Sequence, residues 1–196
     1  CYAQGKYTFV QEGRAVWPEF TDNLMTADLL PDPSLPVHVG LDFGLTPAAV
    51  FAQRMKNGRW HILHELVTFE MGLERFCSML KGDLASRFPG YSTLVWGDPA
   101  GMQRDQIFET TSFDHLKTHG ILAQPTATND FRTRREALAM PMGRLIDGKP
   151  GFLVDRKCIR VRKSLGGGYH FKRVSIGAGQ ERFRDAPNKN EHSHVG

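Results

Sequence analysis

Three apolar segments rich in β-branched and aromatic residues follow one another closely in the first third of the chain. They cover residues 37–43, 48–55 and 60–68, and each has the length and composition of a buried or half-buried strand. Asn57-Gly58 lies in the connection between the second and third segments, and this dipeptide is typical of two-residue hairpin turns. The pattern therefore predicts a sheet that begins as an antiparallel meander.

Helix and strand patterns alternate after the meander. Apolar residues at helical spacing, ended by Pro89-Gly90, predict a helix over 71–86. The order of strands and helices predicts an α/β fold with a central mixed β-sheet flanked by helices. The later segments are a strand at 92–97, a helix at 110–118, a strand at 121–124, a helix at 131–146 interrupted near Pro141, and strands within 152–176 around Gly166-Gly167-Gly168.

Residues 1–36 contain four prolines and show little periodicity. This composition is typical of an extended segment that ends in a linker. We therefore expect a lead-in over 1–36 and a folded domain over 37–196. The first residue is Cys1 and no signal peptide follows it, so we expect a piece of a longer protein that is not secreted.

The composition excludes several classes of protein. Of 196 residues, 40% are apolar, which is too hydrophobic for a disordered chain. No run approaches the ~18 apolar residues needed to span a bilayer, so we expect no membrane segment. The three cysteines are an odd number without the paired spacing of zinc ligands. We therefore expect a protein of a reducing compartment and not a disulfide scaffold.

Charge is distributed unevenly along the chain. Residues 1–100 carry 8 Lys and Arg against 11 Asp and Glu, whereas residues 101–196 carry 17 against 10. A one-sided basic stretch is the usual mark of a polyanionic partner such as nucleic acid, although a solvated basic face has the same composition.

Two aspartates stand at the ends of predicted strands. Asp42 ends the first strand in Gly40-Leu41-Asp42-Phe43-Gly44, and Asp98 ends the fourth in Trp96-Gly97-Asp98-Pro99. If these strands are neighbours, both carboxylates emerge at one edge of the sheet. Paired carboxylates suit Mg²⁺ or Mn²⁺, and two such ions together hydrolyse phosphodiesters. The competing interpretation is that each aspartate only caps a turn.

Basic residues of the second half are candidates for contact with nucleic acid. Three arginines stand near the start of a predicted helix, and a second group falls on predicted strands on both sides of the glycine triplet, where it would form a basic hairpin. His194 is a candidate for assisting catalysis at the sheet edge where the metal ions are expected. The basic candidates are Arg132, Arg134 and Arg135 in the helix, and Arg160, Arg162, Lys163, Lys172 and Arg173 in the hairpin.

These motifs, taken in order, resemble the nuclease domain of bacteriophage terminase large subunits. The resemblance covers nearly the whole chain. It is carried by VWPEF (16–20), VGLDFGLTPA (39–48), WGDPAG (96–101), TNDFRTRREAL (128–138), RLIDGKPGFLVD (144–155), LGGGYHFKR (165–173) and PNKNEHSHVG (187–196).

The resemblance implies a ribonuclease H-like fold and a metal-dependent endonuclease that cleaves concatemeric double-stranded DNA during genome packaging in the host cytoplasm. It makes Asp42 and Asp98 the first two catalytic carboxylates, binding two Mg²⁺ or Mn²⁺ ions. It implies an ATPase motor domain, a small terminase subunit and a portal as partners. The family's third acid follows a His-x-x pattern that here is His194-Val195-Gly196, so it is expected just after Gly196. Asp185 and Glu191 are weaker substitutes within the chain.

Three other interpretations stay open at this point. A junction resolvase or transposase would share the ribonuclease H-like carboxylates and cut a different DNA substrate. An actin-like ATPase has a first phosphate-binding hairpin similar to GLDFGLT, but needs about twice this length. A DNA-binding module would use the two aspartates structurally.

Overall fold

The computed structural model describes residues 13–44, 46–103, 110–177, 180–190 and 192–195. Twelve strands and five helices lie in these residues. The strands are β1 (Gly13–Ala15), β2 (Thr26–Ala27), β3 (Val37–Asp42), β4 (Ala48–Arg54), β5 (Trp60–Val67), β6 (Thr93–Gly97), β7 (Ala123–Pro125), β8 (Leu145–Ile146), β9 (Lys149–Pro150), β10 (Phe152–Asp155), β11 (His170–Gly177) and β12 (Gln180–Phe183). The helices are α1 (Asp22–Met25), α2 (Leu73–Arg87), α3 (Ser112–Thr118), α4 (Phe131–Met142) and α5 (Ile159–Lys163), with a 3₁₀ turn at Pro99–Met102 and a π turn at Ser164–Gly168.

Seven strands form the central sheet in the order β2-β10-β5-β4-β3-β6-β7. The meander β3-β4-β5 is antiparallel, β6 pairs parallel to β3, and β10 pairs parallel to β5. The predicted mixed sheet flanked by helices is therefore confirmed. The turn between β4 and β5 contains Gly58 at φ 87°, a left-handed conformation that glycine adopts without steric cost.

The sheet separates two hydrophobic cores. On one face, Phe76 and Leu80 of α2 pack with Val39, Phe51 and Val95 of the strands. The other face carries the second core, built from strand residues together with α4, α5 and the segment before β2. Because each large apolar side chain removed from water contributes about 1.5–3 kcal/mol, the two cores supply the main stabilisation of the fold.

Part of the segment before residue 37 packs into the second core. Trp17 and Phe20 are buried, and Trp17 Nε1 donates to the carbonyl of Arg135 at 3.3 Å. The strands of this segment also join both larger sheets, since β1 pairs with β11 and β2 with β10. The described residues 13–36 therefore contact the same folded unit that follows them.

The segment 159–163 is a helix, so the prediction that Arg160 and Arg162 alternate along a strand is wrong. Its β-branched residues favour a strand locally, but tertiary contacts override that preference. The Glu65 carboxylate on β5 accepts hydrogen bonds from the backbone N–H groups of Arg160 (2.8 Å) and Val161 (2.7 Å). Amides at the start of a helix need such acceptors, and burial of Val161 completes the anchoring.

The glycine triplet lies in the π turn between α5 and β11, and not between two strands as the sequence predicts. Gly167 is buried and has a φ of 117°, which a residue with a side chain adopts only with strain. Tyr169 N–H donates to Ser164 O across the turn (3.1 Å). The turn thus joins α5 to β11 as a fixed element.

The helix predicted over 131–146 ends at Met142. Gly143 caps it by donating its N–H to Ala139 O (2.9 Å). The next residues form the β8–β9 hairpin, whose Asp147 and Gly148 both have positive φ, as a two-residue type I′ turn requires. The shortening therefore follows from a turn signal just beyond the helix. No helix in the described part of the chain has the length and apolar character needed to cross a bilayer.

Candidate active site

The strand register places Asp42 and Asp98 side by side. β3 and β6 are parallel neighbours, with Val37 opposite Thr93 and Leu41 opposite Gly97. Asp42 and Asp98 are the next residues of the two chains, directly after this last pair. Neighbouring strands are about 4.8 Å apart, so both carboxylates lie at the carboxyl edge of the sheet and on the same face.

Two glycines near Asp98 let an aromatic ring pack directly on the backbone at this edge. A Cβ on Gly97 would lie 2.5 Å from the Phe43 ring, and a Cβ on Gly101 would also lie 2.5 Å from it. The ring of Phe43 therefore packs directly on the backbone of the turn, with the Phe113 ring against it (5.2 Å between centroids). This close approach explains the two glycines of the WGDPAG segment physically, and it fixes the backbone on both sides of Asp98.

Backbone amides hold each carboxylate. Ala100 N–H donates to Asp98 Oδ1 at 2.8 Å, and Gly44 N–H donates to Asp42 Oδ1 at 3.3 Å. The turn-capping interpretation is thus correct as a description of these bonds. It does not account for all of their contacts, because the second oxygen of each aspartate contacts a side chain.

His194 reaches Asp42 across 152 residues of sequence. Its Nδ1 lies 2.9 Å from Asp42 Oδ2. A carboxylate only accepts hydrogen bonds, so the bond requires the proton on Nδ1 and leaves Nε2 for another partner. The structure therefore brings His194 to the carboxyl edge of the sheet, beside Asp42.

The chain around His194 is held on the π turn. Asn190 Nδ2 donates to Gly168 O (3.0 Å), and Ser164 Oγ donates to His192 O (2.7 Å). A Cβ on Gly168 would lie 2.8 Å from the His192 ring, so the absence of a side chain at this glycine permits the contact. The glycine triplet thus supports the segment that presents His194.

Asn129 was missed by the sequence analysis and contacts Asp98 directly. Its Nδ2 lies 3.1 Å from Asp98 Oδ1 and 2.9 Å from Asp98 Oδ2. Its Oδ1 accepts a hydrogen bond from Arg134 Nη1 at 2.8 Å. A lone asparagine before a helix carries no sequence signal for this role, because Asn is common at such positions for capping alone.

Besides Arg134, three more of the predicted DNA-binding arginines make contacts within the fold. Arg135 donates to Val16 O (3.0 Å) and Glu19 Oε1 (2.6 Å). Arg162 donates from two nitrogens to the Asp22 carboxylate, at 2.8 and 2.7 Å. The Arg160 guanidinium lies over the Phe69 ring, 4.7 Å from its centroid. Each of these three arginines therefore has a structural contact, and DNA binding by them stays a prediction.

The remaining basic candidates lie nearer to solvent. Arg132 and Arg134 are exposed in the first turns of α4, and Lys172 and Arg173 are exposed on β11. Lys163, at the end of α5, is partly buried. Of these elements, α4 follows Asn129, which contacts Asp98, and β11 follows the π turn that holds the His194 segment.

The metal-binding capacity of the site depends on two carboxylates. Within the described residues, no group of three or more His, Cys, Asp or Glu side chains is arranged to hold a metal ion. Asp185 lies in the exposed segment after β12, and Glu191 lies outside the described residues. Mg²⁺ is commonly bound by one or two carboxylates, with water and substrate phosphates completing its octahedron. Asp42 and Asp98 fit that pattern.

Comparison with known proteins identifies the fold. No protein-family model and no curated protein sequence matches the chain. Solved structures do. The large terminase of a thermophilic bacteriophage is similar at a TM-score of 0.69 and 14% identity, covering 93% of this chain and 42% of that one. This chain therefore spans less than half the length of that large terminase.

Two isolated nuclease domains are also similar. The P22 large terminase nuclease domain matches at a TM-score of 0.62 and 12% identity, covering 88% of this chain and 84% of that one. The large terminase nuclease of thermophilic phage G20c matches at 0.59 and 14%, covering 93% and 94%. The chain thus has the ribonuclease H-like fold of phage large-terminase nuclease domains, as the sequence resemblance predicted.

Proposed function

We propose that this chain is the endonuclease domain of a phage large terminase, which cleaves concatemeric double-stranded DNA during genome packaging. The observation that carries the proposal is the parallel register of β3 and β6, in which Leu41 pairs with Gly97, the residues directly before Asp42 and Asp98. The fold likeness to the P22 and G20c nuclease domains supports it.

Asp42 and Asp98 would hold Mg²⁺ or Mn²⁺, two ions in the full site. Such ions supply an activated water and stabilise the leaving oxygen of a phosphodiester. The chain's own residues do the rest. Asp42 and Asp98 provide the anionic oxygens, and His194 orients Asp42 through its Nδ1–H. The exposed basic side chains contact phosphates, which carry no base information, so cleavage is independent of sequence.

The partners follow from the same proposal. Double-stranded DNA is the substrate, and an ATPase motor domain, a small terminase subunit and a portal are the packaging partners, in the host cytoplasm. The expected third acid, just after Gly196, would complete the metal ligands.

The test is a plasmid-cleavage assay in Mg²⁺, Mn²⁺ or EDTA with Asp42→Ala and Asp98→Ala. We expect nicking and linearisation in either metal and none in EDTA. Each variant should lose about 10³-fold in rate, because several kcal/mol of transition-state stabilisation depend on the metal. Asp28→Ala is the matched control, since Asp28 is an exposed aspartate whose side chain is 82% accessible.

A four-way junction, included as a substrate, separates this proposal from a resolvase. Preference for the junction over linear duplex would contradict a packaging nuclease. Metal-dependent cleavage that persists in both aspartate variants would contradict the site. If the chain cleaves no DNA, the assay is repeated with the chain continued past Gly196 by one helix, and inactivity of that longer chain would refute the function.

A further inference from the structure

The amide of Asn129 joins a carboxylate of the site to an arginine. Asp98 accepts from Asn129 Nδ2 with both oxygens, at 3.1 and 2.9 Å, while Asn129 Oδ1 accepts from Arg134 Nη1 at 2.8 Å. A carboxylate only accepts and a guanidinium only donates. The amide therefore has one possible orientation between them.

Helix capping does not account for Asn129. The N-cap of α4 is Asp130, whose side chain accepts from Thr133 N–H at 2.8 Å. Asn129 itself is exposed to solvent, so it contributes nothing to either core. The observed interactions of the Asn129 side chain are its hydrogen bonds to Asp98 and Arg134.

The two oxygens of Asp98 accept different numbers of hydrogen bonds. Oδ1 accepts from both Ala100 N–H (2.8 Å) and Asn129, whereas Oδ2 accepts from Asn129. A carboxylate oxygen accepts about two hydrogen bonds. Among the described residues, Oδ2 accepts this one hydrogen bond, which leaves a lone pair for a cation, and Asn129 fixes the carboxylate plane.

The insertion of an amide between Asp98 and Arg134 has a chemical consequence. A direct arginine–carboxylate pair is commonly bidentate and occupies both oxygens. Such a pair would take the lone pair that a metal ion needs and bring a competing positive charge. With Asn129 between them, Arg134 stays close to Asp98 without covering it, and the guanidinium keeps donors for a phosphate.

We infer that Asn129 is a positioning residue for Asp98 and that Arg134, held by Asn129, contacts the DNA phosphate at the cut. The inference rests on the proposed function and deepens it. It assigns different roles to two arginines of one helix turn. Arg134 acts at the reacting phosphate, whereas Arg132, also exposed on α4, contacts the backbone elsewhere.

The test is a double-mutant cycle with two readouts, Mn²⁺ affinity and single-turnover cleavage. Asn129→Ala should weaken Mn²⁺ binding roughly tenfold, as loss of an outer-sphere partner does, because Arg134 then pairs directly with Asp98. Arg134→Ala should leave Mn²⁺ affinity equal or higher and lower the cleavage rate at saturating DNA by roughly tenfold. Arg134→Ala should raise Mn²⁺ affinity by a larger factor in the Asn129→Ala variant than in the native chain, a non-additivity expected of coupled residues.

Arg75→Ala is the matched control, because Arg75 is an exposed arginine on α2, a helix that packs on the opposite face of the sheet. It should change neither readout. Arg134→Lys should restore DNA affinity more than cleavage, since lysine keeps the charge and loses the planar fork. Unchanged thermal unfolding of all variants confirms that the effects are local.

The outcomes separate the inference from the proposed function. If cleavage and Mn²⁺ binding depend on Asp98 but Asn129→Ala and Arg134→Ala match the native chain, the inference alone is overturned. It is also overturned if the effects of the two substitutions on Mn²⁺ binding simply add. If Mn²⁺ binding does not depend on Asp98, both the proposed function and the inference fail.

Discussion

The carboxyl edge of the sheet and the basic second half of the chain use charge in opposite ways. Asp42 and Asp98 are held by backbone amides and by the side chains of His194 and Asn129, not by arginine or lysine. Arg135 and Arg162 are held by carboxylates of the same chain. A count of basic residues therefore predicts a polyanion-binding site poorly, because ion pairs within the fold neutralise part of the positive charge.

Glu65 gives the sharpest contrast to the site aspartates, and its substitution is the largest expected effect on stability. Its carboxylate accepts two backbone N–H groups at the start of α5. Glu65→Ala should lower the free energy of unfolding by about 2 kcal/mol, because those amides lose their acceptor. Chemical denaturation measures this. The cleavage rate per folded molecule should not change, and a loss of cleavage without a loss of stability would place Glu65 in the site.

A pH series with Glu65→Gln sharpens the same contrast. Burial raises the pKa of Glu65 above its usual 4.5. The folded chain therefore holds this proton more tightly than the unfolded chain, and stability from this group is lost as the pH rises through the folded-state pKa. Relative to the native chain, Glu65→Gln should thus gain stability between pH 4 and pH 7. A difference that is constant with pH would contradict the raised pKa.

The difference between the two regions also marks what the sequence could predict. The meander, the strand at 92–97 and the strand-end positions of Asp42 and Asp98 follow from patterns of about ten residues, because strand periodicity and turn residues are local properties. The helix at 159–163 does not, since Glu65 comes from a strand 95 residues away. Asn129 was missed for a similar reason, as its partner Asp98 is 31 residues distant.

Arg162 should affect stability more than DNA binding. Its bidentate bond to Asp22 ties α5 to α1, and the Arg162 guanidinium holds the pKa of Asp22 below its usual 3.8. Arg162→Met should lower the free energy of unfolding by about 1 kcal/mol at pH 7, a partly exposed pair being worth this much. A depressed carboxylate pKa stabilises above the unfolded value, so the difference between the two proteins should shrink as the pH falls below about 4.

Affinity for DNA provides the control for Arg162. A fall in duplex affinity at pH 7 larger than that of Arg75→Ala, with unchanged stability, would show that Arg162 faces the substrate. Equal affinity with lower stability would confirm the structural contact. Fluorescence anisotropy in EDTA measures the affinity without cleavage.

Lys172 should show the smallest effect and the clearest signature of phosphate contact. It is exposed on β11, opposite Gly13 of β1, and β11 follows the π turn that supports the His194 segment. Lys172→Ala should weaken duplex binding a few-fold and reduce the slope of log affinity against log salt by about 0.9, the counterion release of one phosphate. Lys117→Ala, an exposed lysine on α3, should leave the slope unchanged. Equal slopes for the native chain and both variants would mean that Lys172 does not contact a phosphate. The exposed arginines of α4 would then be the remaining candidates for DNA contact.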